Sequence, residues 1–197
     1  EVQHLLDVLA RSAPKLVDDV VPGLLPLGDL VRVLRNLARE GVSIRDLRTI
    51  LEALAELVPQ TRDPEQLTEM VRERLAPHIT TRFKSVDGSV AALTLDPRLE
   101  EVLRRSLRDI SAGAGGALDP ALVRGVVQSA ERAMGTFQAI SAAPVVVTPP
   151  DLRRYVRAIF EWKVPQLAVV SFREIEPTAT LRVLDRLGPA PAMEASA

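Results

Sequence analysis

Three Asp-Pro steps, Asp63-Pro64, Asp96-Pro97 and Asp119-Pro120, and the related Thr148-Pro149 constrain this chain more than any other feature. Proline at the first helical position has no N–H to leave unsatisfied, and its φ is already helical. The oxygen side chain before it accepts from the free amides of the first turn. Helices are therefore expected to begin near residues 64, 97, 120 and 149, and everything else must fit between them.

Upstream of residue 84 the spacing is helical throughout. Val2, Leu5, Leu6 and Leu9 share one face, Pro14 opens a short helix, and Leu27, Leu30, Val31, Leu34 and Leu37 form a stripe with Arg32, Arg35 and Arg39 off it. Gly41 reads as the glycine that ends this helix. Ser43 reads as the cap of the next, with Asp46 answering three residues on and Val42 closing over Leu47. Ile44, Leu47, Ile50, Leu51, Leu54 and Leu57 would be buried, while Arg45, Arg48, Glu52 and Glu56 face outward and Arg48 pairs with Glu52 one turn away. The helix from Pro64 is expected to run to about Lys84 with a kink at Pro77. The rival is a hairpin through Asp87-Gly88.

Beyond residue 84 four short apolar runs read as strands: Ser89–Asp96, Ala143–Pro149, Leu167–Phe172 and Thr180–Leu187. Long helices separate the first three, so at least part of the sheet is parallel. The expected fold is α+β: an all-helical bundle over residues 1–84, then a small α/β subdomain over 85–187 with a mostly four-stranded mixed sheet, and a flexible tail over 188–197. Ser111–Asp119 is expected to be a loop between helices, and no internal repeat is present. The helix Asp151–Lys163 should turn Val156, Ile159 and Phe160 inward and Arg153, Arg154 and Arg157 outward; it could lie on anionic lipid or bind a partner, but such a helix more often covers one face of the neighbouring sheet. Trp162 is expected to pack.

Composition narrows the function. Of the 197 residues, 47% are hydrophobic, enough for a well-covered core, but only 3% are aromatic, so that core must be aliphatic. The net charge of −1 argues against a nucleic-acid binder, which needs a surplus of Lys and Arg. Absence of cysteine removes disulfides, thiolate catalysis and cysteine metal sites, and suits a reducing compartment. No apolar run is long enough to cross a bilayer. The chain opens at Glu1, already in helical pattern, which suggests a piece of a longer protein.

Candidate chemistry is sparse. His4 and His78 stand in no metalloprotease spacing, although Asp7 could orient His4. No nucleophilic serine elbow accompanies them. Asp18-Asp19 and Glu100-Glu101 sit on amphipathic helices with basic neighbours, as solvated faces do. The glycines at 113–116 lack the preceding strand and the Gly-Lys-Ser/Thr of a phosphate loop. A helix-turn-helix over Leu30–Glu56 would place Arg45 and Arg48 toward bases, but Asp46, Glu52 and Glu56 would then face phosphates. A small-molecule enzyme would use the strand ends near Thr148 and Ser171. Catalytic, cofactor and metal residues are therefore expected to be none.

The stretches NLAREGVSIRDLRTILEALAE and TRDPEQLTEMVRERL closely resemble the export-gate family of bacterial type III secretion, shared by flagellar exporters and virulence injectisomes. LTLDPRLEEVL, PVVVTPPDLRRYVRAIFEWKVPQLAVVSFREI and LRVLDRLG continue the likeness over nearly the whole chain except the tail. PQTRDP leans to the flagellar branch and DLRRYVRAIFE to the injectisome. The chain departs from the family at Ala38, Met70, Pro77-His78 and Glu176. The resemblance implies the third and fourth of four cytoplasmic subdomains of an inner-membrane protein. It implies a nonameric ring that docks chaperone–substrate complexes and the export ATPase's stalk, with no catalysis and no cofactor. The main chaperone surface would lie on the two preceding subdomains. Arg35, Arg39, Arg45, Arg48 and Glu52 are the candidate contacts to a neighbouring subunit or partner.

Overall fold

A computed structural model describes residues 1–112 and 118–188 of the chain. Two compact units result, one ending at Thr81 and one beginning at Arg82. No described helix is long and apolar enough to cross a membrane. The expected tail beyond Gly188, and the loop residues 113–117 with their glycines, lie outside the described residues.

The first unit is helical: α1 (Val2–Ala10), α2 (Pro14–Asp18), a distorted helical turn over Asp19–Leu24, α3 (Leu27–Arg39), α4 (Leu47–Leu57), α5 (Pro64–Arg74) and α6 (Ala76–Thr81). Helix α5 is its centre, with both α3 and α4 packed against it. Leu30, Leu34 and Leu37 of α3, Ile50, Leu51 and Leu54 of α4, and Leu67 and Val71 of α5 are all buried. Helix α3 runs parallel to α5. Asn36 Nδ2 donates to Glu65 Oε1 (3.1 Å) and Thr68 Oγ1 (3.3 Å), and one turn further along both helices Arg72 Nη1 donates to Glu40 Oε2 (3.3 Å). On α1 only Leu6 of the expected face is buried, and Leu5 is exposed.

Gly41 closes α3 as expected, at φ +71°. Its N–H donates to the Ala38 carbonyl at 3.0 Å and the Val42 N–H to Leu37 at 2.9 Å, the paired bonds of a Schellman ending. The start of α4 differs from the expectation. Asp46, not Ser43, is the cap: its carboxylate accepts from the Thr49 N–H (3.1 Å) and the Thr49 hydroxyl (2.7 Å). Ser43 Oγ accepts only from the Arg45 N–H, at 3.3 Å. A carboxylate with two donors outcompetes a hydroxyl with one, so the helix starts at Leu47 and Arg45 lies before it.

The helix expected to reach Lys84 ends at Thr81 and breaks at Leu75. Pro77 has no N–H for the carbonyl four residues back, and its ring crowds that carbonyl, so the break falls just before it. The rival hairpin is present in miniature. Lys84 bridges antiparallel to Val90, the Ser85 N–H donates to Ser89 O (2.8 Å), and Gly88 turns at φ +80°.

The second unit comprises β1 (Ser89–Leu95), α7 (Pro97–Ser111), α8 (Pro120–Ala139), β2 (Val145–Thr148), α9 (Arg153–Phe160), β3 (Ala168–Ser171), a 3₁₀ turn (Phe172–Glu174) and β4 (Thr180–Leu187). The strand order is β3-β2-β1-β4, and every neighbouring pair is parallel, so the sheet is not mixed. The reason is the link after β3. It carries the chain from one edge of the sheet to the other and back to the starting end, so β4 enters in the direction of β1. An extended residue covers about 3.3 Å, which lets such a short link make the crossing. Leu93, Val146 and Val169 on one face of the sheet pack with Leu99 and Leu103 of α7, Ala130 and Phe137 of α8, and Val156 and Phe160 of α9.

Asp63, Asp96 and Asp119 cap α5, α7 and α8 as their Asp-Pro steps predict, each accepting from the N–H two residues on. Thr148 does not cap. It is paired with Ser171 in the sheet, its hydroxyl donates to Pro149 O (3.2 Å), and α9 begins only at Arg153. Pro150 disfavours helical backbone at Pro149, which delays the start.

Candidate functional site

The five candidate interface residues all lie on the first unit and are all exposed. They fall into two groups, because α3 and α4 each pack on α5 rather than on one another. Arg35 and Arg39 sit on α3. Arg45 precedes α4, and Arg48 Nε donates to Glu52 Oε1 at 2.8 Å on its outer face. That hydrogen bond, more than the charge alone, raises the Arg48 pKa. One turn on, Glu56 pairs with Arg74 of α5 at 2.6 Å. This face is thus a set of short charged couples over an aliphatic interior. It suits a polar contact that can exchange partners. The same arrangement argues against helix-turn-helix readout, since Glu52 holds Arg48 and Arg45 lies before the helix.

The histidines stand apart from catalysis. His4 is exposed, and Asp7 accepts instead from Gln3 Nε2 at 3.0 Å. His78 Nε2 lies 3.8 Å from Asp46 Oδ2 on the surface. Among the described residues no group of His, Asp and Glu is arranged to hold a metal. The two hydroxyls expected to line a strand-end crevice are taken up by the fold. Thr148 and Ser171 are buried, the first bonded to Pro149 and the second closing a capping box with Glu174. Glu100 and Glu101 pair with Arg104 and Arg105 one turn on.

Sequence reasoning misplaced Arg153 and Trp162 of the second unit, and Arg157 in part: expected outward, it is half-buried and its Nη1 donates to Leu167 O (3.4 Å). Arg153, expected outward, is 1% exposed. Its Nη1 donates to Val169 O (3.4 Å) and its Nε lies 3.8 Å from Glu174 Oε1, which accepts from the Ser171 N–H (3.2 Å). Residue 153 falls on the same side of the helix as Val156 and Phe160, and helical spacing could have flagged it. Trp162, expected to pack, is 81% exposed. It lies in the turn that follows the end of α9.

Two further pairs had no signal in the local pattern because their partners are distant in sequence. Arg104 Nε donates to Asp151 Oδ2 (2.7 Å) and Nη2 to Oδ1 (3.3 Å), joining α7 to the start of α9 and holding Asp151 below the usual carboxylate range. Lys84 Nζ donates to Glu176 Oε2 (2.7 Å), which lowers the Glu176 pKa. Glu176 thus supplies an ion pair between the strand-entry turn and the β3–β4 link. Ala38 is exposed, Met70 is half-buried, and Pro77 marks the helix break.

The chain is thus a helical unit joined to a parallel α/β unit, with charged couples outside and hydroxyls turned to structural use inside. The FHIPEP family profile matches residues 1–180, and the chain belongs to that family, the export-gate proteins of type III secretion. It is 36% identical over 188 residues to flagellar biosynthesis protein FlhA of Salmonella typhimurium, covering 95% of this chain and 26% of FlhA. The structure of the Chlamydia pneumoniae CdsV and CdsO protein complex matches with a TM-score of 0.78 at 34% identity, over 95% of this chain and 54% of the solved one. Nonameric EPEC SctV-C matches with a TM-score of 0.74 at 32% identity, over 94% of this chain and 56% of that one. The chain therefore spans about a quarter of the length of the curated relatives it matches and about half of the solved chains.

Proposed function

We propose that this chain is part of the cytoplasmic portion of a type III protein-export gate at the bacterial inner membrane. In this reading its two units are the third and fourth cytoplasmic subdomains, and it helps build a nonameric ring. The ring docks chaperone–substrate complexes and the stalk of the export ATPase, and the chain performs no catalysis. The observation that carries the reading is correspondence over 94% of the chain, in sequence and in fold, with a nonameric SctV-C. The Arg48–Glu52 couple on α4 and the exposed arginines of α3 supply the kind of polar surface a ring neighbour can engage, and Arg35, Arg39, Arg45, Arg48 and Glu52 are its candidate contacts.

The test is secretion by cells whose full-length protein carries or lacks residues 1–188. The expected result is loss of exported substrates from the medium while the membrane portion is still inserted. Unchanged secretion would overturn the proposal. Pull-downs with the full cytoplasmic region and with this fragment, run in parallel, then show which partners need the missing subdomains.

A further inference from the structure

Strand β4 is the least buried strand of its sheet. It lies at an edge and pairs with β1 alone. Of its eight residues only Leu187 is buried, whereas β1, β2 and β3 are buried almost throughout. Its ladder with β1 shifts register between Ala92 and Leu93, so Leu184 has no residue opposite it. A strand with few buried side chains and a solvent-facing row of backbone groups belongs to the part of a fold that opens first.

Besides that ladder, β4 is held at its two ends. At the far end Leu187 sits in the core, and the Asp96 N–H donates to its carbonyl at 2.8 Å. At the near end Glu176 turns the chain into the strand: its carbonyl accepts from the Ala179 N–H at 2.9 Å, one residue before Thr180. The Glu176 carboxylate accepts from Lys84 Nζ at 2.7 Å, with both side chains 30% exposed. Lys84 is in turn fixed to the start of β1, by its bridge to Val90 and by the Ser85 N–H donating to Ser89 O. Asp87, on the same turn, is held below the usual carboxylate range first by the Ser89 hydroxyl and N–H, and also by the charge of Arg182 on β4. The ion pair therefore joins the two chain segments that lead into Ser89 and Thr180, the first paired residues of β1 and β4.

We propose that the Lys84–Glu176 pair is a latch on an edge strand that opens while the rest of the second unit stays folded. Closed, the latch ties the entry turn 84–88, the end of the β3–β4 link and β4 into one cooperative element. Released, that element parts from the sheet and bares the edge of β1. The device stands on this geometry and does not depend on the export reading.

Amide hydrogen exchange of the whole chain, read residue by residue by NMR, tests the latch. In the parent, the amides that β4 donates to β1 should exchange together and faster than those of β2. Lys84→Met and Glu176→Gln should each speed exchange about threefold, both in β4 and at Ser85 and Gly88 of the entry turn, while circular dichroism stays that of the parent. The swap of Lys84→Glu with Glu176→Lys should return most of the lost protection. β4 amides as slow as those of β2 in the parent overturn the proposal, because the strand would then open only with the whole unit. So does a variant whose effect is confined to its own segment, or a swap that exchanges as fast as the single variants.

Discussion

At the scale of single residues, the informative side chains are those whose polar atoms are answered far away in sequence. Arg153 and Glu174 are each 1% exposed and face one another at 3.8 Å. Removing one member of a buried pair leaves the other charge uncompensated, so Arg153→Met should lower unfolding stability by about 3 kcal/mol. Adding Glu174→Gln should recover part of that loss, and denaturant titrations of the two single variants and the double variant measure the coupling. Asp46 gives a prediction with a pH sign. Thr49 hydrogen bonds hold its folded pKa below that of an ordinary aspartate, so its stabilisation is present above the ordinary value and is lost as pH falls through the folded pKa. Asp46→Ala should cost about 1 kcal/mol at pH 7. Asp46→Asn keeps a capping oxygen and should lose less, and it should lack the parent's acid-side loss of this contribution in a melting series from pH 6 to pH 2.

At the scale of elements, legibility followed how local the cause was. The starts of α5, α7 and α8 were readable because an Asp-Pro step acts on its own first turn. The strand Thr180–Leu187 was readable to the residue. The start of α4 was misread because two caps competed and Thr49, the second donor to Asp46, settled it. The start of α9 was misread because Thr148 was already committed to the sheet beside Ser171. The direction of β4 could not be read, since it depends on where the link after β3 crosses. Of the candidate site, the Arg48–Glu52 couple was legible as a one-turn spacing, whereas the Glu40–Arg72 contact between parallel helices was not. That contact depends on the end of α3. Gly41 at φ +71° turns the chain just after Glu40, so Gly41→Ala places a Cβ in left-handed backbone and should cost about 1 kcal/mol. If the ending positions Glu40, faster amide exchange should appear in α5 near Arg72 as well as at the end of α3.

At the scale of the whole molecule, the open question is whether the charged face of the first unit acts between subunits or only solvates it. Stability cannot answer this, because an exposed pair such as Arg48–Glu52 contributes a few tenths of a kcal/mol at most. Assembly can. The double exchange Arg48→Glu with Glu52→Arg keeps an ion pair one turn apart and so leaves the helix nearly as stable, but it reverses the order of charges presented outward. In the full cytoplasmic region, Tm should be within about 1 °C of the parent, in line with a change of a few tenths of a kcal/mol. Ring formation, followed by native mass spectrometry or light scattering, should require a higher protein concentration. Raising the salt should narrow the difference between variant and parent, because exposed charges are screened within about 10 Å at 0.1 M. A variant that assembles like the parent at every salt concentration would assign this couple to solvation and move the search for the subunit contact to Arg35 and Arg39 on α3.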